Sequence, residues 1–173
     1  MASWIEFEAF LSAAKRCLDR AWCCLGECLG DEASEIRTLG GSIYNLSKKV
    51  KNDEVKKFII RLPYFSHLQT AWNEWGQELA DLRNYVEHQA PLGGRSFGFI
   101  QNTVHGEGIR IFIPDEIPRH QENVQKRTLA FSKQLSANVY AQDTMKRLDD
   151  LIAALLSEGE VLKDMESFTN HSP

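Results

Sequence analysis

Apolar residues repeat at helical spacing along most of this chain, and this constrains the fold more than any other feature. Trp72, Trp75, Leu79, Leu82 and Val86 alternate spacings of three and four, the pattern of a helix packed along a seam. A second stripe predicts a helix over residues 4–29. Weaker patterns follow over 31–39 and 42–50, and a further one begins at Asn52 and reaches Arg61 or Leu62, where Pro63 ends or kinks the helix. A last pattern runs from about Arg119 to Glu158, and its length allows a break near residues 136–138.

Residues 96–114 change character and predict strands. Apolar and β-branched residues lie on both sides of the turn-rich His105-Gly106-Glu107-Gly108, the pattern of a β-hairpin. We therefore predict a mainly all-α fold: an up-and-down helical bundle with one β-hairpin insertion at about 96–114. The 173 residues fit a single domain spanning 1–173, with a loose polar tail at about 163–173.

Charge and apolar content exclude several classes of protein. The net charge is −4, which argues against a surface covered with nucleic-acid-binding charge but leaves a local basic cleft open. The most basic stretch, from Lys48 to Arg61, is either a solvated face or a surface that steers RNA. The N-terminus lacks the pattern of a signal peptide, and no apolar run is long enough for a bilayer. We expect a cytoplasmic protein with no membrane partner.

Four cysteines fall within one predicted helix. Cys17, Cys24 and Cys28 share a helix side with Ala21, which favours small buried thiols in the helix core. We interpret all four cysteines, Cys23 included, as reduced and structural. A metal site would want a Cys-x-x-Cys pair or a nearby histidine, and this stretch has neither. We therefore expect no metal and no cofactor.

One segment contains, close together, three residues whose side chains suit catalysis. Arg83 is followed directly by Asn84 and, five positions after the arginine, by His88. Histidine transfers protons near neutral pH, and the planar fork of arginine can bind two phosphate oxygens at once. Asn84 lies four residues before His88, on the same helix face, and can orient the histidine or a phosphate. These residue types suit cleavage of a phosphodiester.

This segment resembles the signature of the HEPN superfamily: an arginine, a polar residue, and a histidine after four to six positions. The resemblance implies a helical bundle and a metal-independent endoribonuclease that cleaves RNA by attack of the 2′-hydroxyl on the adjacent phosphate. It implies catalytic roles for Arg83, Asn84 and His88. It also implies a homodimer, because the active cleft of the family lies between two subunits. Tyr85 and Glu87 lie inside the motif and Glu78 and Asp81 lie near it, so all four are candidates to flank the cleft.

The resemblance also sets expectations about biology. RNA is the expected substrate, and RNA processing, defence or a toxin–antitoxin role with a regulatory protein partner all fit such an enzyme. In toxins paired with a nucleotidyltransferase, a tyrosine stands two residues after the histidine; here that position is Ala90, which argues against modification by such a partner.

The same residues permit a simpler interpretation. Arg83 and Glu87, at spacing four, can form an ordinary surface ion pair, and His88 can be a cation at a helix C-terminus. Arg83 and His88 lie roughly 140° apart on a straight helix, so they converge only if the arginine curls round or the helix loosens before Pro91. The alternative function is a catalytically inactive helical module for dimerisation or partner binding.

Overall fold

The computed structural model describes residues 4–29, 53–88, 98–103, 106–116 and 130–158 of the chain. Its helices are α1 (Trp4–Leu29), α2 (Asp53–Arg61), α3 (Pro63–Ala71), α4 (Gln77–His88) and α5 (Ala137–Ser157), with a π-helical turn at Trp72–Gly76 between α3 and α4. The strands are β1 (Gly98–Thr103) and β2 (Gly106–Ile111). The described part is thus mostly helical, which confirms the mainly helical fold class.

Helix α1 has the predicted bounds and buries one continuous apolar stripe: Phe7, Leu11, Ala14, Leu18, Trp22 and Leu25. Their spacings of three and four keep them on one face. The prediction that Cys17 and Cys24 are buried in the helix core is wrong, because both are exposed; Cys23 is half-buried. Trp22 completes the stripe instead, and the two exposed thiols lie roughly 100–120° around the helix from its centre. The side chain of Cys28 lies outside the described residues.

The chain divides into two compact units. The first comprises Met1–Lys15 and Glu78–Lys146, and the second comprises Arg16–Gln77 and Arg147–Pro173, so α1 and α5 each contribute to both. The first unit buries a core from the start of α1, from α4, from the end of β2 and the residues after it, and from the start of α5: Phe7, Leu11, Ala14, Leu79, Ala80, Leu82, Tyr85, Val86, Ile111, Ile113 and Ala137. The ring of Phe7 also packs edge-on against Tyr140.

Strands β1 and β2 lie within the range where the sequence predicts a hairpin. They pair antiparallel, with Gly98 opposite Ile111 at one end and Thr103 opposite Gly106 at the other. The two residues between them, 104–105, lie outside the described residues.

Residues 130–136 are not helical, so the predicted last helix is wrong over this segment. Its backbone runs against the chain after β2 instead: Ile113 N–H donates to Leu135 O, and Asp115 N–H donates to Ala130 O. The Asp115 carboxylate accepts the amides of Ser132 and Lys133 at 2.8 and 2.9 Å and the Ser132 hydroxyl at 2.5 Å. These bonds lower the pKa of Asp115, the Ser132 hydroxyl bond most strongly. We call this arrangement the Asp115 clasp. Long-range bonds here outweigh the local apolar pattern.

The second unit is built around α3 and the π-helical turn. Leu62 has the extended backbone that a following proline favours (φ −68°, ψ 129°), and Pro63 then begins α3, so α2 ends at Arg61 as predicted. Trp22 packs edge-on against Phe65, and the Tyr64 hydroxyl donates to Ala21 O at 2.8 Å. The core of this unit comprises Leu18, Trp22, Leu25, Ile59, Leu62, Tyr64, Phe65, Leu68, Ala71, Trp72, Trp75, Leu148, Leu151 and Leu155.

Between α3 and α4 the helix widens by one residue. The amide of Gln77 donates to Trp72 O, five residues back, which defines the π-helical turn. Gly76 is closely surrounded in this turn: a Cβ there would lie 3.2 Å from Ala71 O and from Leu18 Cδ1, which is closer than ordinary van der Waals contact.

Other expectations concern the rest of the chain. The helices predicted over 31–39 and 42–50, residues 119–129 of the last predicted helix and the polar tail at 163–173 lie outside the described residues. Within the ranges that are described, no helix combines the length and apolar character that crossing a membrane requires.

Candidate functional site

The motif lies in the last two turns of α4, which the core of the first unit holds in place. Leu82 is fully buried and Tyr85 and Val86 are each 2% exposed, so packing fixes one face of the helix over consecutive turns. Arg83, Asn84 and Glu87 occupy the remaining, more open side. A polar site on a packed helix is more rigid than one on a loop, which suits a catalytic or binding role.

Arg83 joins two other motif residues. Its Nη2 atom forms an ion pair with Glu87 Oε2 at 2.5 Å, and its Nη1 atom donates to Asn84 Oδ1 at 3.1 Å. The Arg83 side chain is 34% exposed and that of Glu87 is 20% exposed. The guanidinium therefore has a fixed direction while part of its surface remains open to solvent.

Glu87 has a second contact, which comes from α1. The Ser12 hydroxyl donates to Glu87 Oε1 at 2.5 Å, so the two carboxylate oxygens of Glu87 have different partners. Ser12 lies 75 residues before Glu87, and no motif in the sequence connects the two. Its only sequence signal is its place directly after Leu11, at the margin of the buried stripe of α1, and that signal does not name a partner.

Tyr85 belongs to the core rather than to the open side of the motif. Burial raises the pKa of its phenol above the ordinary value of about 10. The hydroxyl is therefore protonated at neutral pH and cannot act there as a general base. Its position inside the motif reflects packing of α4.

The remaining candidates are spread along α4. Glu78 is exposed in the first turn, roughly 14 Å along the axis from Glu87 at 1.5 Å per residue. Asp81 is half-buried and, two positions before Arg83, points to a different side of the helix. His88 is the last residue of α4, and its side chain lies outside the described residues. The structure thus brings together Arg83, Asn84 and Glu87.

Two further features were candidates on sequence grounds. In the basic stretch, Lys57 and Arg61 are exposed and Lys56 is half-buried on α2, whereas residues 48–51 lie outside the described ranges. Across the part of the chain that the structure covers, no three histidine, cysteine or acidic side chains are grouped so that they could hold a metal ion.

Comparison with known proteins identifies no relative of this chain. No protein-family model matches the chain, and searches of curated proteins and of solved structures give no significant match.

Proposed function

We propose that this chain is a HEPN-like, metal-independent endoribonuclease whose reacting groups lie in the last two turns of α4. The observation that carries the proposal is the state of Arg83. Asn84 Oδ1 accepts a hydrogen bond from its guanidinium, on a helix whose other side is buried, and a third of the side chain is open. An oriented guanidinium on a rigid element is the group best suited to bind two phosphate oxygens.

The fold supports the same proposal at a coarser level. The described residues are mostly helical, as a HEPN-like up-and-down bundle requires. In this proposal the β-hairpin at about 96–114 is an insertion into the bundle that covers or extends the active cleft. The bundle, the insertion and the cleft are all parts of the hypothesis.

The proposed reaction needs three groups. A base takes the proton of the ribose 2′-hydroxyl while its oxygen attacks the adjacent phosphorus. The bond from phosphorus to the 5′-oxygen breaks, an acid protonates that oxygen, and a 2′,3′-cyclic phosphate remains. His88 is the acid or base, Arg83 stabilises the extra charge on the phosphate oxygens, and Asn84 orients Arg83. In a homodimer, the motif of a second copy supplies the complementary proton transfer.

A second candidate function is a helical module that dimerises or binds a partner protein without catalysis. One observation favours it: Arg83 already has a carboxylate partner, as in an ordinary ion pair at spacing four. This candidate predicts that Arg83 and His88 are dispensable for whatever the protein binds.

Cleavage of RNA in EDTA separates the two candidates. We expect the wild type to produce 2′,3′-cyclic phosphate ends without metal. We expect His88→Ala to lose about 10²–10⁴-fold in rate and Arg83→Ala about 10²–10³-fold. Arg20→Ala and His67→Ala, which change the same residue types in the second unit, serve as controls. Equal cleavage by wild type, His88→Ala and Arg83→Ala would refute the assignment.

Mixing inactive variants tests the shared cleft. If each active site combines Arg83 of one protomer with His88 of the other, a heterodimer of Arg83→Ala and His88→Ala contains one intact site. We therefore expect partial recovery of cleavage on mixing, together with a dimeric mass by sedimentation. A monomeric mass, or no recovery in a demonstrated heterodimer, contradicts a cleft shared in this way.

A further inference from the structure

We propose that Glu87 is an internal competitor of the substrate phosphate for Arg83, and that Ser12 is the positioning residue that holds it there. This inference rests on the proposed function, because it assigns a regulatory partner to the same site. Arg83 Nη2 now faces Glu87 Oε2, so a phosphate that takes both sides of the guanidinium fork must displace this carboxylate.

The position of Glu87 on its own helix does not favour a negative charge. Glu87 lies in the last turn of α4, where the helix dipole disfavours negative charge. The order of the pair, with the arginine before the acid, is also the weaker of the two orders at spacing four. Glu87 therefore contributes little to the stability of α4 itself. Its two close contacts, with Arg83 and Ser12, account for its fixed position.

Ser12 makes the competition effective. A glutamate side chain has several rotatable bonds, and the hydrogen bond from Ser12 Oγ fixes one carboxylate oxygen so that the other faces Arg83. When phosphate arrives, Glu87 keeps Ser12 as a partner and Arg83 is released. The pair is therefore a reversible block on an anion site, with Ser12 setting its strength.

The size of the effect follows from the exposure of the pair. An exposed pair at spacing four changes an equilibrium by about twofold. Here the Glu87 side chain is 20% exposed and carries a second, charge-assisted hydrogen bond, so we expect a larger change. Removing the charge in Glu87→Gln should tighten RNA binding about threefold to tenfold. Ser12→Ala should tighten it about twofold, and Ser12→Thr, which keeps the hydroxyl, should bind like the wild type.

The test is binding of a short, fully 2′-O-methylated RNA, which cannot be cleaved, followed by fluorescence anisotropy in EDTA. Glu74→Gln removes the same charge from an exposed position in the π-helical turn and measures the general electrostatic contribution. We expect tightening in Glu87→Gln beyond that control, and no difference between Arg83→Ala and the Arg83→Ala/Glu87→Gln double variant.

Three outcomes overturn the inference: no tightening in Glu87→Gln beyond Glu74→Gln, equal tightening in the Arg83→Ala background, or no measurable binding by both wild type and Glu87→Gln. The cleavage assay with His88→Ala reads the proposed function separately. Tightening without cleavage leaves Glu87 as a competitor at an anion site and refutes the nuclease. Cleavage without tightening leaves the nuclease and refutes the competitor.

Discussion

Replacing Gly76 by alanine tests whether the π-helical turn is packed as tightly as its geometry indicates. The added Cβ would lie 3.2 Å from Ala71 O and from Leu18 Cδ1, and 3.3 Å from Trp72 Cε3. Ala71 O belongs to the helix backbone, Leu18 is fully buried and Trp72 is 5% exposed, so none of the three has open space to move into.

Two effects of opposite sign set the size of the change. Alanine in place of glycine in a helix interior stabilises by about 1 kcal/mol. Overpacking of a filled core costs about 1–3 kcal/mol. Because one neighbour is a backbone oxygen and the other two are buried side chains, we take the upper part of that range, so Gly76→Ala should lower the free energy of unfolding by about 1–2 kcal/mol. For a chain of 173 residues this corresponds to a Tm lower by roughly 2–8 °C.

Urea unfolding followed by circular dichroism at 222 nm measures this difference. Asn73→Ala is the matched control, since Asn73 lies in the same π-helical turn but is exposed, and it should be neutral or slightly stabilising. A Gly76→Ala variant as stable as Asn73→Ala, or more stable than the wild type, would show that the neighbours of Gly76 can move and that the packing argument is wrong.

Three further outcomes are expected. Tyr64→Phe should lower the free energy of unfolding by about 1 kcal/mol in urea titrations, because it removes the hydrogen bond to Ala21 O without leaving a large cavity. Carboxyl titration by NMR should place the pKa of Asp115 below about 3.9, and the amide shifts of Ser132 and Lys133 should change with it. The clasp is complete above about pH 3.9 and is lost as pH falls through the lowered pKa. Asp115→Asn should abolish this transition. In absorbance titrations, the wild type should show one phenol that ionises above about pH 10, and Tyr85→Phe should lack it. The stability of the fold that depends on the neutral Tyr85 phenol is present below that pH and is lost as pH rises through the raised pKa.

The sequence predicts best those elements whose stability is local. The bounds of α1 follow from one apolar stripe, and the end of α2 follows from the extended backbone that Pro63 imposes on Leu62. The burial of Trp72, Trp75, Leu79, Leu82 and Val86 likewise confirms the seam that their spacing predicts.

The sequence does not predict the structural elements that depend on partners far away in the chain. Phe131 and Leu135 continue a helical pattern, but the bonds of residues 130–135 to Ile113 and Asp115 hold them out of a helix. Gln134 also adopts a left-handed backbone (φ 47°), a conformation that is uncommon for residues other than glycine and that the sequence does not predict.

The candidate site shows the same division. The spacing of four between Arg83 and Glu87 allows their ion pair to be anticipated, because neighbours on one helix are fixed by its geometry. The contact from Ser12 could not be anticipated, because it depends on how α1 packs against α4 within the first unit.

The placement of the indole rings makes the two units optically distinct. Trp22, Trp72 and Trp75, the three tryptophans whose side chains are described, all belong to the second unit and are all buried. In a Trp4→Phe background, tryptophan emission therefore reports solvent entry into that unit, while far-ultraviolet ellipticity reports helices in both. Coincident transitions by the two signals indicate that the units unfold as one cooperative body, and separated transitions give each unit a stability of its own.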